Sequence, residues 1–286
     1  MKLQVYHRTH YRYAAAVRES FNEARLRPAT IDGQVCQSFT LKVLPATRLA
    51  HYTDFLQNCV HVFDIGETHS ELSVEATSTV ITTSERVLPP DTSSTLLTKL
   101  QQTPVAAGYH DFVQPSRFVD TLVPAQALAR EITAGVDQAW LAAQALMQFV
   151  HSNFVYKPAS THVHTLMSEV LANRCGVCQD FAHVTIGLCR ALNIPARYVS
   201  GYLYNGPLDQ LRGAQASHAW LEVYLPELGW RGLDPTNGQQ PDERYVKIAS
   251  GRDYGDVSPL RGTYRGTSER KLTVEVLVTA LEQRAA

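Results

Sequence analysis

Residues 174–195 read RCGVCQDFAHVTIGLCRALNIP. Phe181, Val184, Leu188 and Leu192 recur at three- and four-residue steps and form one apolar face, and Ala182, Ile186 and Cys189 add a second. A helix apolar on most of its surface is a buried one. Asn193 suits the left-handed position that ends a helix, and Pro195 blocks continuation. The pattern places the start of this helix at Cys178, directly after Gly176 and Val177. A helix N-terminus carries partial positive charge and unpaired N–H groups. Both favour the thiolate, which is the reactive form of cysteine. The same N–H groups suit the oxyanion formed at an attacked carbonyl. Cys178 is therefore the candidate nucleophile.

Three strand-like runs follow, ARYVSGYL, HAWLEVYL and GWRGLDP, and then RYVKIAS and KLTVEVLVTAL. His218 opens the second run and Asp234 closes the third, with Pro226-Glu227-Leu228-Gly229 as a hairpin loop between them. Side chains alternate faces along a strand. In an antiparallel pair, His218 and Asp234 share a face only if paired residue numbers sum to an even value. Tyr224 opposite Trp230 meets that condition and sets Asp234 diagonal to His218. A slip of one residue separates them. Nucleophile, base and orienter are the roles these three residues would take: Cys178, His218 and Asp234.

Upstream, Trp140, Ala143, Leu146, Met147 and Val150 recur at helical steps within 136–152 and read as core. Thr165 is the expected cap of a short helix over 166–172. Residues 1–90 carry short alternating runs such as LQVYHRTHYRY, SFTLKVLP, CVHVFDI and LSVEATSTVITT, separated by turn signals. That spacing indicates an antiparallel β-sandwich-like unit. The expected organisation is a β-rich domain over 1–100, a connecting segment over 101–125, and a catalytic core over 126–286 that includes the C-terminal strand. The 286 residues are 44% hydrophobic and 19% charged with a formal net charge of −1, which supports a sizeable core and argues against a nucleic-acid partner. No run is long and apolar enough to span a membrane, and the N-terminus lacks a signal-peptide pattern, so the expectation is a cytoplasmic protein. Five cysteines do not make a disulfide scaffold.

GVCQDFAH, ARYVSGYL, SHAWLEVYL and GWRGLDPTNG occur in this order and at close spacing. Together they resemble the transglutaminase-like superfamily, in its bacterial cysteine-protease-like branch. HRTHYRY, ARLRP and HSELSVEATSTV resemble the β-rich region that precedes that core, and SGRDYGDVSPLRGTYRG the segment that follows it. The resemblance implies an α+β fold in which a papain-like helix bearing the nucleophile packs on an antiparallel sheet. It carries the family's nucleophile, base and acid to Cys178, His218 and Asp234. It implies acyl-enzyme chemistry on amides. A peptide or protein is the expected substrate, and no cofactor or metal is expected. Release by water gives a protease or amidase, which is the favoured reading. Release by an amine gives a protein transglutaminase, and a non-catalytic module retaining the fold is a third reading. Cys175 departs from the family pattern, and a disulfide with Cys178 would silence the nucleophile.

Other residues have plainer readings. Cys175-x-x-Cys178 matches a metal or redox pair, but a structural zinc site needs four ligands. His183 lies roughly 140° around the helix from Cys178 and reads as a core histidine. His162 and His164 flank a loop ahead of Cys178, and loops 157–166 and 204–216 would shape the cleft, the second as a lid. Asp180 is a first-turn acid that suits the helix dipole. Tyr156 and Asn173 are candidates for a second oxyanion donor. Trp220 and Trp230 read as sheet packing, and Cys36, Cys59 and Cys189 as buried small apolar residues.

Overall fold

The computed structural model describes residues 1–84, 88, 95–102, 109–120, 123–158, 160–161, 165–206, 217–267 and 269–281. The N-terminal region contains β1 (Lys2–Ala24), β2 (Gln34–Leu44), β3 (Ala50–Thr53), β4 (Cys59–Ile65) and β5 (His69–Thr82). They form one antiparallel sheet in the order β2-β5-β1-β4-β3. β1 is a single long strand that serves two layers. Its first half, to Arg12, pairs with β5; its last residues, Ser20–Ala24, pair with β4. Between them the register shifts, and Glu19 adopts a left-handed φ of 52°. Irregularities of this kind let a strand cross from one layer to another. Val43, Leu72 and Val74 of the first layer meet Phe63 and Ile65 of the second in one buried cluster.

The second region begins with α1 (Leu97–Gln102), a 3-10 turn at His110–Phe112, α2 (Val123–Ile132) and α3 (Ala139–Asn153). The stripe of Trp140, Ala143, Leu146, Met147 and Val150 is buried, as its periodicity requires. Next come β6 (Val155–Tyr156), α4 (Met167–Asn173), β7 (Cys175–Gly176) and α5 (Cys178–Ala191). α4 starts one residue later than the sequence suggested, with Leu166 rather than Thr165 at its cap position. The carbonyl of Phe118 accepts the Met167 N–H in place of a capping side chain. α5 is buried from Asp180 to Arg190, and Asn193 takes a φ of 58° just beyond it.

α5 packs on a four-stranded antiparallel sheet ordered β10-β9-β8-β11, made of β8 (Ala196–Leu203), β9 (Ser217–Leu225), β10 (Gly229–Leu233) and β11 (Tyr245–Gly251). Arg190, buried at the end of α5, donates to the carbonyls of Phe112, Gln114, Ala196 and Arg252. These bonds compensate the loss of water around its charge and tie the helix end to three loops.

The two regions join along the outer strand β11. The side-chain amide of Gln34 both accepts from the Lys247 N–H and donates to its carbonyl, at 2.7 and 2.8 Å. Asn58 repeats the pattern on Ser250, at 2.8 and 2.9 Å. Each amide thus stands in for a neighbouring strand and satisfies an open sheet edge. After α6 (Tyr254–Val257), β12 (Leu260–Arg265) and β13 (Arg270–Ala280) turn back and pair with β1. The sequence reading grouped this C-terminal strand with the catalytic core; its hydrogen bonds run to the N-terminal sheet. Leu3, Val5, Val80 and Val278 share one hydrophobic core with α3 and α5.

Candidate active site

Cys178 is the first residue of α5, half-buried and a free thiol. The turn that presents it is built by Asp180. Its carboxylate reaches back to accept the Val177 N–H at 2.8 Å and the Thr161 hydroxyl at 2.6 Å. This satisfies an N–H that the helix itself leaves open. Burial pushes the Asp180 carboxyl up, against the lowering effect of those two bonds. Gly176 makes room for it, since a Cβ there would stand 2.7 Å from the Asp180 Oδ2 atom. Asp180 therefore faces the backbone turn, and its place in the first turn is set by more than the helix dipole.

Tyr224 pairs with Trp230 and Leu221 with Leu233, the register expected from parity. His218 and Asp234 consequently share a face, and His218 Nε2 lies 2.7 Å from Asp234 Oδ2. The Cys178 thiol stands against the same imidazole, close enough to help raise its pKa. With Nε2 engaged by Asp234, Nδ1 is the nitrogen left for the thiol. The three residues named from the sequence thus meet at one point.

Asp234 is fully buried and every lone pair it offers is used. Oδ2 also accepts from Asn237 Nδ2 and the Tyr245 hydroxyl, each at 2.7 Å, and Oδ1 accepts the Thr236 N–H at 2.8 Å. Burial alone would push this carboxyl up; the bonds from His218, Tyr245 and Asn237 reverse that and hold it below the ordinary carboxylate value. Burial likewise pushes the His218 ring down, but the hydrogen bonds and charges of Asp234 and Cys178 outweigh it and hold the imidazole up at about 10. At neutral pH a protonated ring therefore stands beside the sulfur. Sequence reasoning missed Tyr245 and Asn237. The Asp-Pro-Thr-Asn run is a turn signal that could have found Asn237; Tyr245 arrives from another strand and leaves no local trace.

Cys178 and His218 open into a cavity of about 600 Å³. Tyr156 stands close enough for the charges of Cys178 and Asp180 to add to burial in pushing its hydroxyl up. Asn173 lies at the exposed end of α4. His183 is a core residue: its Nε2 accepts the Tyr254 N–H at 3.2 Å, and burial pushes the ring down to about 4. Trp220 packs between His218 and Tyr245, and Trp230 lies under the Arg197 guanidinium at 4.0 Å. Cys175 and Cys178 are both free thiols, and Cys189 is buried with its thiol pushed up to about 12. Cys36 and Cys59 correct the expectation of burial: both are half-exposed, and the Arg27 charge stands near each. His162, His164 and most of the expected lid, 207–216, lie outside the described residues. Among the described residues no group of three or more His, Cys, Asp or Glu side chains is placed to hold a metal ion, and no helix is long and apolar enough to cross a membrane.

Family models place a transglutaminase-like core at residues 126–235 and a bacterial transglutaminase-like N-terminal region at 3–81. ML0607, an uncharacterized protein of Mycobacterium leprae, is 35% identical over 98% of this chain and 99% of its own length. The chain belongs to the transglutaminase-like superfamily. Among superfamily relatives, a Pseudomonas aeruginosa protein named protein-glutamine gamma-glutamyltransferase is 34% identical over 50% of this chain and 23% of its own length. A solved structure from Cytophaga hutchinsonii, described as a "putative cysteine protease", shares the fold with a TM-score of 0.76. It is 23% identical and covers all of this chain and 92% of that one.

Proposed function

We propose that this superfamily member is a cysteine amidohydrolase, acting on a peptide or protein through Cys178, His218 and Asp234. The observation that carries the reading is the single imidazole between thiol and carboxylate, with Asp234 Oδ2 at 2.7 Å. The Cys178 sulfur attacks the amide carbonyl, and the backbone N–H groups at the start of α5 receive the developing oxyanion. His218 passes its proton to the departing amine, leaving a thioester on Cys178. It then takes a proton from water as that water attacks the thioester, and the acid is released. Tyr156 is the second oxyanion donor in this scheme. Cys178 is only half-buried, so water reaches the thioester without a further built site.

The test is alkylation by iodoacetamide at neutral pH with mass-spectrometric mapping, beside peptide cleavage by the wild type and Cys178→Ala. Cys178 should react first among the five thiols, and the variant should cleave nothing. Equal reactivity of all five would sink the reading. A second reading, acyl transfer to an amine, draws on the printed name of the Pseudomonas relative. Incorporation of a labelled primary amine into a glutamine-bearing protein, faster than hydrolysis, would favour it.

A further inference from the structure

The cavity that holds Cys178 and His218 has a second wall, supplied by the N-terminal sheet. Along β1 and β13, His7 lies opposite Val276, Thr9 opposite Val274 and Tyr11 opposite Leu272. Directly paired residues share a face, and all six line the cavity. β13 is the outer strand of that layer, so its members form an open aliphatic row. Leu272 is 51% exposed and Val274 49%. Outward-facing strand positions are ordinarily polar, and the other face of β13 follows that habit with Lys271, Thr273 and Glu275. The aliphatic row is therefore uncovered apolar surface, continuous with the catalytic cavity. Among the described lining residues there is no carboxylate, and Arg25 is buried and paired with Glu23. A cationic side chain finds no carboxylate partner among these described residues.

Alternate residues of a strand repeat at about 6.5–7 Å. The side chains of an extended peptide that point one way repeat at the same interval. We propose that the row Leu272, Val274, Val276 is a substrate-recognition wall, and that the substrate is an extended polypeptide segment with aliphatic or aromatic side chains at alternate positions beside the attacked amide. The inference rests on the thiol reading of the site, because continuity with Cys178 is what makes the wall a substrate wall. It adds a role for the N-terminal region: the catalytic core supplies the chemistry and β13 supplies the choice of sequence.

The test is equilibrium binding to the full chain carrying Cys178→Ala, measured by fluorescence anisotropy. The probes are labelled glutamine-centred peptides with Leu or Phe at alternate positions, with the same residues placed consecutively, or with Ser or Asp in their place. The alternating apolar peptide should bind about tenfold or more tighter than the Asp peptide, the scale of one well-filled apolar pocket. Val274→Asp should remove most of that preference, and Thr273→Asp, on the opposite face of the same strand, should keep it. Val274→Ser replaces Val274→Asp if thermal melting shows the latter unfolded. Equal binding of all peptides overturns the proposal, as does an equal loss in the Val274 and Thr273 variants. Binding to Cys178→Ala needs no turnover. A catalytically silent wild type would therefore break the functional reading while the binding result still decided the wall.

Discussion

Two histidines line the same cavity and are held in opposite states. His218 and His7 are both nearly inaccessible, with a side-chain exposure of 8% for the first and a residue exposure of 2% for the second. Burial disfavours the charged ring in each. His7 has only neutral partners, the Tyr202 hydroxyl and the Thr9 hydroxyl, both at 2.9 Å, and burial pushes it down to about 4. His218 has a fully buried carboxylate and a thiol, and stands at about 10. The contrast shows that depth does not decide the charge of a buried histidine here. The partners do: the Asp234 carboxylate, held charged by protein donors that replace water around it, and the Cys178 thiol.

The strongest way to break the comparison is Asp234→Asn, which removes the charge and keeps the shape. His218 should then titrate far below 10, in the manner of His7, as followed by NMR of the ring protons. The peptide-cleavage kcat should fall by roughly 10³–10⁴-fold, the scale seen when a triad loses its acid. Persistence of the high pKa would refute Asp234 as its source. Tyr245→Phe sharpens the point more gently. It removes one charge-assisted bond from the carboxylate, worth about 1.5–3 kcal/mol. A kcat loss of roughly tenfold and a measurable rise in the Asp234 carboxyl pKa are expected; an unchanged titration would show that Tyr245 only packs.

The two rings should also give stability opposite pH slopes. His218 is raised from an ordinary 6.5 to about 10, so its contribution is full below about 6.5 and is lost as pH rises through 10. His7 is lowered to about 4, so its contribution is full above about 6.5 and is lost as pH falls through 4. Chemical denaturation across pH 4–10 should show both limbs in the wild type, with the alkaline limb missing from Asp234→Asn. An alkaline limb of equal size in that variant would remove His218 as its cause. The smallest effect on rate belongs to Tyr202→Phe. It leaves the His7 Nδ1 atom buried without a hydrogen-bond partner and should cost about 1–3 kcal/mol of stability. The kcat loss should stay under about tenfold, since no proton or charge of the proposed reaction moves through that hydroxyl.

The helix bearing Cys178, its end at Asn193, and the strand parity that joins His218 to Asp234 were all legible in the sequence. Each depends on a short repeat, 3.6 residues for a helix and 2 for a strand, and on turn residues within a few positions. Gly176 and Asp180 were also visible, though their contact was not. What completes the site came from far along the chain. Tyr245 reaches Asp234 from β11, Gln34 and Asn58 seal the edge of that strand, and β13 pairs with β1 across more than 250 residues to build the cavity's second wall. Alternation in KLTVEVLVTAL marked one apolar face on β13, but not what that face would meet. Local periodicity determines which side of an element is apolar; only the packing of distant elements decides whether that side becomes core or, as at Leu272 and Val274, an open surface beside a thiol.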